Sequence, residues 1–475
     1  MRTEMLIGGK WTAGSGGPSF VTRNPATGEV IAELSEATAA DVDAAVTAAA
    51  AAFEPWAAML PAARATLLWR IADLIEQQGE ELAALESLDQ GQTLPVSGGF
   101  SIPNLVEHFR YYAGWATKIT GSTVALSVPN VDYRTRREPL GVCGLIVPWN
   151  FPLPILGWKL APALATGNTV VIKPAEQTSL STLRLAELLE EAGVPAGVVN
   201  VVTGGPDTGK ALVAHPGVAK ISFTGSTAVG REIAADAGRA LKKVSLELGG
   251  KAPSIIAADA DIDAVIEPNA LGGLLNTGQI CAAFTRFYVD RKRVDEFTAK
   301  LAGVASHLPV GPATDPNALI GPLVSEEHRA SVERYLETGT AEGARLVTGG
   351  GRPEGGGYFL EPAVLGGVTQ DMRVAREEIF GPVLSVLAYD DPEELAPLAN
   401  DSEYGLAAAI WSRDIGTATR LANEVKAGTV WINMAPAQDA AAAWGGMKSS
   451  GLGREMGWAG IDAYTQVKSI WTALA

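Results

Sequence analysis

Cysteine is almost absent from this chain of 475 residues: Cys143 and Cys281 are the only two. Two thiols cannot build a disulfide framework, and so low a number suits a reducing cytoplasm. Histidine is scarce as well. His108, His215, His307 and His328 are scattered, none at ligand spacing from a cysteine, so no metal site is expected. Positive charge is in deficit, with 37 Lys and Arg against 53 Asp and Glu and a formal net charge of −16. Such a chain is repelled by phosphate backbones and anionic membranes, which argues against nucleic acid and membrane as partners. No uncharged apolar run reaches the length of a membrane span, and Met1 to Lys10 has no apolar signal-peptide core. A soluble, cytoplasmic protein is the expectation.

Two nucleotide signatures are also missing. There is no G-x-G-x-x-G. Gly204 to Lys210 meets G-x-x-x-x-G-K, but Ala211 follows where a magnesium-binding Ser or Thr belongs, so the segment reads as a plain strand-to-helix turn.

What is present is a large globular composition, 47% hydrophobic and 19% charged, long enough for several domains. The Ala-rich stretch from Ala44 to Ala52 reads as a helix with a small-residue packing face. Between about residues 139 and 260, β-rich runs at Val142–Val147, Thr169–Ile172, Val198–Val202, Ile221–Phe223 and Val244–Leu246 alternate with helical segments such as Leu180–Ala192 and Ala228–Ala237. That alternation predicts βαβ units and a parallel sheet. A second α/β series follows, with strands expected at Phe287–Val289, Val383–Ala388, Ala407–Trp411 and Thr429–Ile432. Gly349 to Gly357 reads as a surface loop. Thr123–Val128 and Tyr133–Arg137 read as a hairpin arm around Pro129-Asn130, and Val467 to Thr472 as a terminal strand. Their open edges invite pairing between subunits.

A few residues stand out chemically. Cys281 follows the polar, Gly-containing approach Asn276-Thr277-Gly278-Gln279-Ile280. A lone cysteine is more often a small core residue, and Cys143, inside an apolar run, is read that way. Glu247 sits in an apolar β run ahead of Gly249-Gly250-Lys251. A carboxylate there is costly unless paired or neutral, which suits a general base; the alternative is an outward strand residue paired with a lysine. Asn150 lies in Pro148-Trp149-Asn150-Phe151-Pro152 near the carboxyl end of a strand, where α/β sheets bind ligands. Gly225 to Gly230 lies between a strand and a helix, where free N–H groups suit a pyrophosphate.

These segments, together with Ile7–Trp11, Asn24–Gly28, Lys173–Glu176, Glu377–Pro382 and Gly445–Glu455, resemble the aldehyde dehydrogenase superfamily along the whole chain. The resemblance implies an α/β fold with a variant Rossmann cofactor domain, which accounts for the missing glycine fingerprint, plus an α/β catalytic domain and a β-hairpin oligomerisation arm. On that pattern the cofactor domain takes 1–120, 139–248 and 434–458, the catalytic domain 249–433, and the arm 121–138 and 459–475. It implies Cys281 as nucleophile, Glu247 as general base and Asn150 as oxyanion donor, with Lys159 and Glu455 at proton-relay positions. Lys173 and Glu176 would meet the adenine ribose, Gly225, Ser226 and Gly230 the pyrophosphate, and Glu378 and Phe380 would flank the nicotinamide ribose, with Trp149 a further cofactor contact. NAD is the cofactor expected, since the Glu176 carboxylate repels a 2′-phosphate, with NADP not excluded. A homodimer or homotetramer is implied. The family often has Pro-Phe before the last Gly-Gly motif, and here Ala443-Trp444 stand there.

Phe151, Trp158 and Trp444 are the aromatic residues the resemblance brings to the aldehyde tunnel. They suit an aromatic or medium-chain apolar aldehyde by burial, or a quaternary ammonium by cation–π attraction, as in betaine-aldehyde or amino-aldehyde dehydrogenases. Leu275, where plant enzymes of that type often carry tryptophan, weakens the cationic alternative. A coenzyme-A-acylating dehydrogenase has no need of the base Glu247. A cysteine thiol-esterase would use the same thiol without NAD, and a non-catalytic protein on the same fold has no need of Cys281, Glu247 and Asn150 together.

Overall fold

The computed structural model describes residues 1–474. Five parallel strands form the centre of its first sheet, in the order Lys243–Glu247, Lys220–Thr224, Val142–Ile146, Thr169–Lys173 and Val199–Val201. The chain starts in the middle and winds outward both ways, so the order reverses between Val142–Ile146 and Lys220–Thr224. Short antiparallel strands extend the edges: Gly451–Leu452 at one side, Met5–Ile7 with Lys10–Thr12 at the other.

The pleat explains why these runs are apolar on both parities. Cys143, Leu145, Val170 and Ile172 pack into a core with helices Pro152–Ala165 and Leu180–Ala192. Val142, Ile146, Val171, Ile221 and Phe223 face the opposite core, with Val42, Val46 and Ile233 from helices Ala39–Ala58 and Thr227–Arg239. Alternate residues of one strand thus serve two layers of helices. Each fully buried Leu, Ile or Val contributes about 1.5–3 kcal/mol.

The second sheet runs Arg345–Thr348, Ala363–Val368, Val383–Tyr389, Phe284–Asp290, Ala252–Ile256, Ala407–Trp411, Thr429–Ile432. It is parallel except for the first pair. The chain passes from the first sheet into the second through only four residues, Leu248 to Lys251. Among the described residues no helix is long and apolar enough to cross a membrane.

Helix Leu180–Ala192 and strands Ala407–Trp411 and Thr429–Ile432 have the bounds expected from sequence. The Ala-rich stretch lies in helix Ala39–Ala58, started by a reciprocal Thr38–Asp41 capping box. Strands Ala252–Ile256 and Ala363–Val368 were not foreseen, because Pro253 and Gly366-Gly367 break their β signal.

The arm differs from the expected hairpin. Val131–Pro139 pairs antiparallel with the tail strand Thr465–Ala473 along its whole length. Thr123–Val128 is not a strand and touches the arm through one bridge, Thr123 to Arg134. Val124 and Val128 are exposed and have no apolar face to cover, whereas the tail supplies a full ladder of partners.

Candidate active site

The carboxyl ends of the first sheet's central strands face the amino ends of the second sheet's strands. Cys281 arrives just before the strand Phe284–Asp290 by a strained turn. Asn276 and Thr277 have φ of 48° and 59°, and Gly278 follows at 70°. Two consecutive non-glycine residues in that region store roughly 1–3 kcal/mol each. A side chain at Gly278 would strike the Gly381 carbonyl, 2.2 Å from the position of its Cβ. The turn is held by side chains that sequence reading missed. Asn276 donates to the Asn150 carbonyl at 2.9 Å, and Gln279 donates to the Asn276 carbonyl at 3.1 Å while accepting from the Val324 N–H at 2.9 Å.

Asn150, four residues beyond the strand Val142–Ile146, is buried and donates through Nδ2 to the Gln279 carbonyl at 2.9 Å. An amide NH₂ has two donors, so one N–H remains for another acceptor. The Asn150 carbonyl also accepts from Gln92 at 3.0 Å, which ties the amide to the same network.

The half-buried Cys281 thiol is pushed up to about 12 by burial and by the nearby carboxyl groups of Glu378 and Glu247. The backbone N–H groups of Cys281 and Ala282 act in the opposite direction. Gly250 lies directly beneath: its Cβ would be 2.1 Å from the Cys281 carbonyl oxygen.

Glu247 is the last residue of its strand and is buried. Neither carboxylate oxygen has a hydrogen-bond partner in the protein. Burial, reinforced by Glu455, raises its pKa well above the ordinary carboxylate value, against the opposing charges of Lys159 and Arg454. The alternative of an outward residue paired with a lysine does not hold, for Lys159 is committed elsewhere. Its Nζ is 2.6 Å from Glu455 Oε1, with both side chains buried. Ser222, also missed from sequence, donates to the same oxygen at 2.7 Å and accepts from Lys159 at 3.2 Å. The second oxygen of Glu455 has no partner.

On the nucleotide side, Gly225 and Ser226 follow the strand Lys220–Thr224 at the point where the sheet order reverses. Ser226 caps the helix Thr227–Arg239 by accepting from the Val229 N–H at 3.4 Å. Gly230 lets that helix close on Leu248, whose side chain would lie 2.3 Å from an added Cβ. Lys173, buried at the end of its strand, donates to the Pro174 carbonyl at 3.0 Å and stands 3.6 Å from the half-exposed Glu176. Burial lowers its pKa. Glu378 accepts the Gly250 N–H at 2.9 Å, and burial raises its pKa to about 7. Phe380, at φ 57°, meets Trp149 edge-on at 5.2 Å. His328, a further residue the sequence did not reveal, packs on Trp149 at 5.3 Å and bonds through Nε2 to the Phe380 carbonyl at 2.7 Å.

The three aromatic residues expected at the aldehyde tunnel are all buried. Phe151 packs edge-on against Phe100 at 5.5 Å. Trp158 lies 6.2 Å from Trp444, which is 6.2 Å from Trp431.

Ligands of open α/β sheets bind outside the carboxyl ends of the strands where the strand order reverses. Here that point carries a helix N-terminus suited to a phosphate, so the fold defines an enzyme of the nucleotide-binding α/β class. Residues 11–470 match the aldehyde dehydrogenase family, and the chain belongs to that family. It is 45% identical to phenylacetaldehyde dehydrogenase of Pseudomonas fluorescens, across 98% of this chain and 95% of that protein. The NAD+ complex of a Bacillus cereus aldehyde dehydrogenase is similar with a TM-score of 0.98 at 47% identity, covering 100% of this chain and 97% of that one. Betaine aldehyde dehydrogenase of Staphylococcus aureus, solved with NAD+, gives 0.97 at 39% identity, covering 99% and 95%.

Proposed function

We propose that this enzyme oxidises an aromatic or medium-chain apolar aldehyde to its carboxylic acid with NAD, through a thioester on Cys281. The observation that carries the reading is the buried, unpartnered carboxyl group of Glu247, close enough to Cys281 to raise its pKa.

The residues present fit the cofactor. Gly225 and Ser226 open a helix whose first N–H groups suit a pyrophosphate. Lys173 and Glu176 offer a cation and a carboxylate to ribose hydroxyls, and Glu176 repels a 2′-phosphate, so NAD is preferred to NADP. Trp149, Glu378 and Phe380 border the nicotinamide side. When bound, NAD supplies the hydride acceptor.

The chain's own groups account for the rest. The Cys281 thiol passes its proton to Glu247, directly or through water, and its sulfur bonds to the aldehyde carbon. The charge that develops on the aldehyde oxygen is met by the free Asn150 N–H and the Cys281 backbone N–H, donors typically worth ~3–4 kcal/mol each. Loss of hydride from that carbon restores a carbonyl and leaves the thioester. Glu247 sheds that first proton and takes another from water, whose oxygen bonds to the thioester carbon and displaces Cys281 as the thiolate, releasing the acid. Lys159 and Glu455 sit behind Glu247 as the route by which that proton leaves.

Phe151, Trp158 and Trp444 present aromatic faces that favour an aryl or apolar chain by burial. Likeness to a phenylacetaldehyde dehydrogenase supports this reading. The exposed arm, Val131–Pro139 with Thr465–Ala473, is where a dimer or tetramer would assemble. Measuring kcat/KM for phenylacetaldehyde, hexanal, acetaldehyde and betaine aldehyde with NAD and with NADP tests the proposal. A clear preference for betaine aldehyde, or for NADP, overturns the corresponding part.

A further inference from the structure

Trp158 is held from behind by two residues of the neighbouring helix Ile102–Trp115. Its indole Nε1 donates to Asn104 Oδ1 at 2.8 Å in a buried contact. The Asn104 backbone carbonyl is in turn bonded to His108 Nδ1 at 2.7 Å. The His108 ring lies 6.0 Å from the Trp158 ring, tilted by 34°. His108 is fully buried, and its other nitrogen, Nε2, has no partner. Burial lowers its pKa to about 4, so at neutral pH the proton sits on the nitrogen facing the carbonyl and the ring is uncharged. The two helices are close enough that a side chain at Gly157 would strike Leu105 at 2.7 Å. Helix Pro152–Ala165, which carries Trp158, thus packs closely on helix Ile102–Trp115 at Gly157.

Buried tryptophans usually need a partner for the indole N–H, and the partner then fixes the ring plane. Trp158 also packs against Trp444, with ring centroids 6.2 Å apart and planes tilted by 58°. The Trp444 backbone is fixed by paired bonds with Glu455, at 2.8 Å each way. The placement of these two contacting rings is thus set by Asn104 at Trp158 and by the Glu455 bridge at Trp444.

From this geometry we infer that Asn104 and His108 are positioning residues for aldehyde specificity: they fix the plane of the Trp158 ring, and so the aromatic wall it offers a bulky aldehyde, without touching the reacting atoms. The inference rests on the substrate reading above, in which Trp158 borders the aldehyde site.

The test compares Asn104→Leu, which keeps the volume and removes the acceptor, with Asn104→Asp, which retains an oxygen for the indole N–H. Kinetics are taken on acetaldehyde and on whichever bulky aldehyde the unaltered enzyme prefers. That choice keeps the test separate from the substrate reading, which the unaltered enzyme's own ranking decides. NAD affinity, read by fluorescence quenching, checks that each variant is folded. In Asn104→Leu, kcat/KM for the bulky aldehyde is expected to fall about ten-fold or more through KM, while that for acetaldehyde stays within about two-fold. Asn104→Asp should restore most of the loss. His108→Leu should change the same ratio in the same direction, and His108→Phe, which keeps an aromatic face on Trp158, should change it less. Equal losses for both aldehydes in a folded Asn104→Leu protein, or no change for either, would overturn the inference.

Discussion

Replacing Glu247 by Gln isolates the proposed base with little disturbance of the fold. The two side chains have nearly the same shape, and neither oxygen of Glu247 makes a hydrogen bond that the substitution could break. The substituted amide brings its own unpartnered N–H groups into a buried site, a penalty of about 1–3 kcal/mol, which a stable enzyme of this size tolerates. The chemical effect is larger. A positioned general base contributes about a hundred- to ten-thousand-fold, and Gln supplies none of it. If water activation is the main task, the loss falls on thioester hydrolysis. Rapid-mixing measurements should then show a burst of close to one NADH per active site, followed by steady turnover slower by that factor. The pH dependence supplies an independent arm. The raised pKa of Glu247 means that its basic form accumulates only above the usual carboxylate range, so hydrolysis should accelerate as pH rises. Glu455 contributes to that rise and Lys159 opposes it. Glu455→Gln removes the first and leaves the second, so the pH profile should move to lower pH. Full steady turnover in Glu247→Gln, or an alkaline shift in Glu455→Gln, would refute the reasoning.

The remaining expectations are simpler. Cys281→Ala should abolish NADH formation and leave NAD binding intact by fluorescence titration, whereas Cys143→Ala, a deletion in the core of a buried strand, should keep turnover and lower the unfolding temperature. Glu86 is fully buried, accepts from Ser181 and the Leu153 N–H on one oxygen only, and burial raises its pKa to about 8. A raised carboxyl pKa adds stability that is fully present below its ordinary value of 4.5 and is lost as pH climbs through 8. Thermal unfolding of Glu86→Gln and the unaltered enzyme should therefore run together near pH 4.5 and diverge progressively as pH rises, by a few kcal/mol at pH 9, the unaltered enzyme losing the more stability; parallel curves would mean that Glu86 titrates in the folded protein as it does in the unfolded chain.

The sheet architecture was legible where burial on both faces made whole runs apolar, as at Val142–Ile146 and Thr169–Lys173. It was illegible where Pro253 or Gly366-Gly367 interrupt a strand, because tertiary packing there overrides local preference. The arm misled for a different reason. Thr123–Val128 and Val467–Thr472 both have strand composition, and only long-range pairing decides which of them partners Val131–Pro139. Of the site, the residues with unusual local settings stood out: Cys281 after its glycine turn, Glu247 in an apolar run. Gln279, Asn276 and Asn104 did not, because a supporting amide is defined by what it bonds to across the fold. Ser222 left a faint trace, a polar residue inside the run Ile221–Phe223, and small hydroxyls are common enough in buried strands to pass unnoticed.

The passage from Leu248 to Lys251 gives this enzyme an unusual kind of fragility. Glu247 ends a strand of one layer, Cys281 leads into a strand of the other, and the four residues Leu248 to Lys251 carry the chain across the seam between them. Gly249 and Gly250 are pinched there between Glu378 and the Cys281 carbonyl, with no space for a Cβ on either. Glu247 and Cys281 are thus registered by the way the two sheets dock across their shared core. On the proposed mechanism activity reports the alignment of that seam, and a perturbation that parts the sheets is expected to lower turnover before either sheet unfolds.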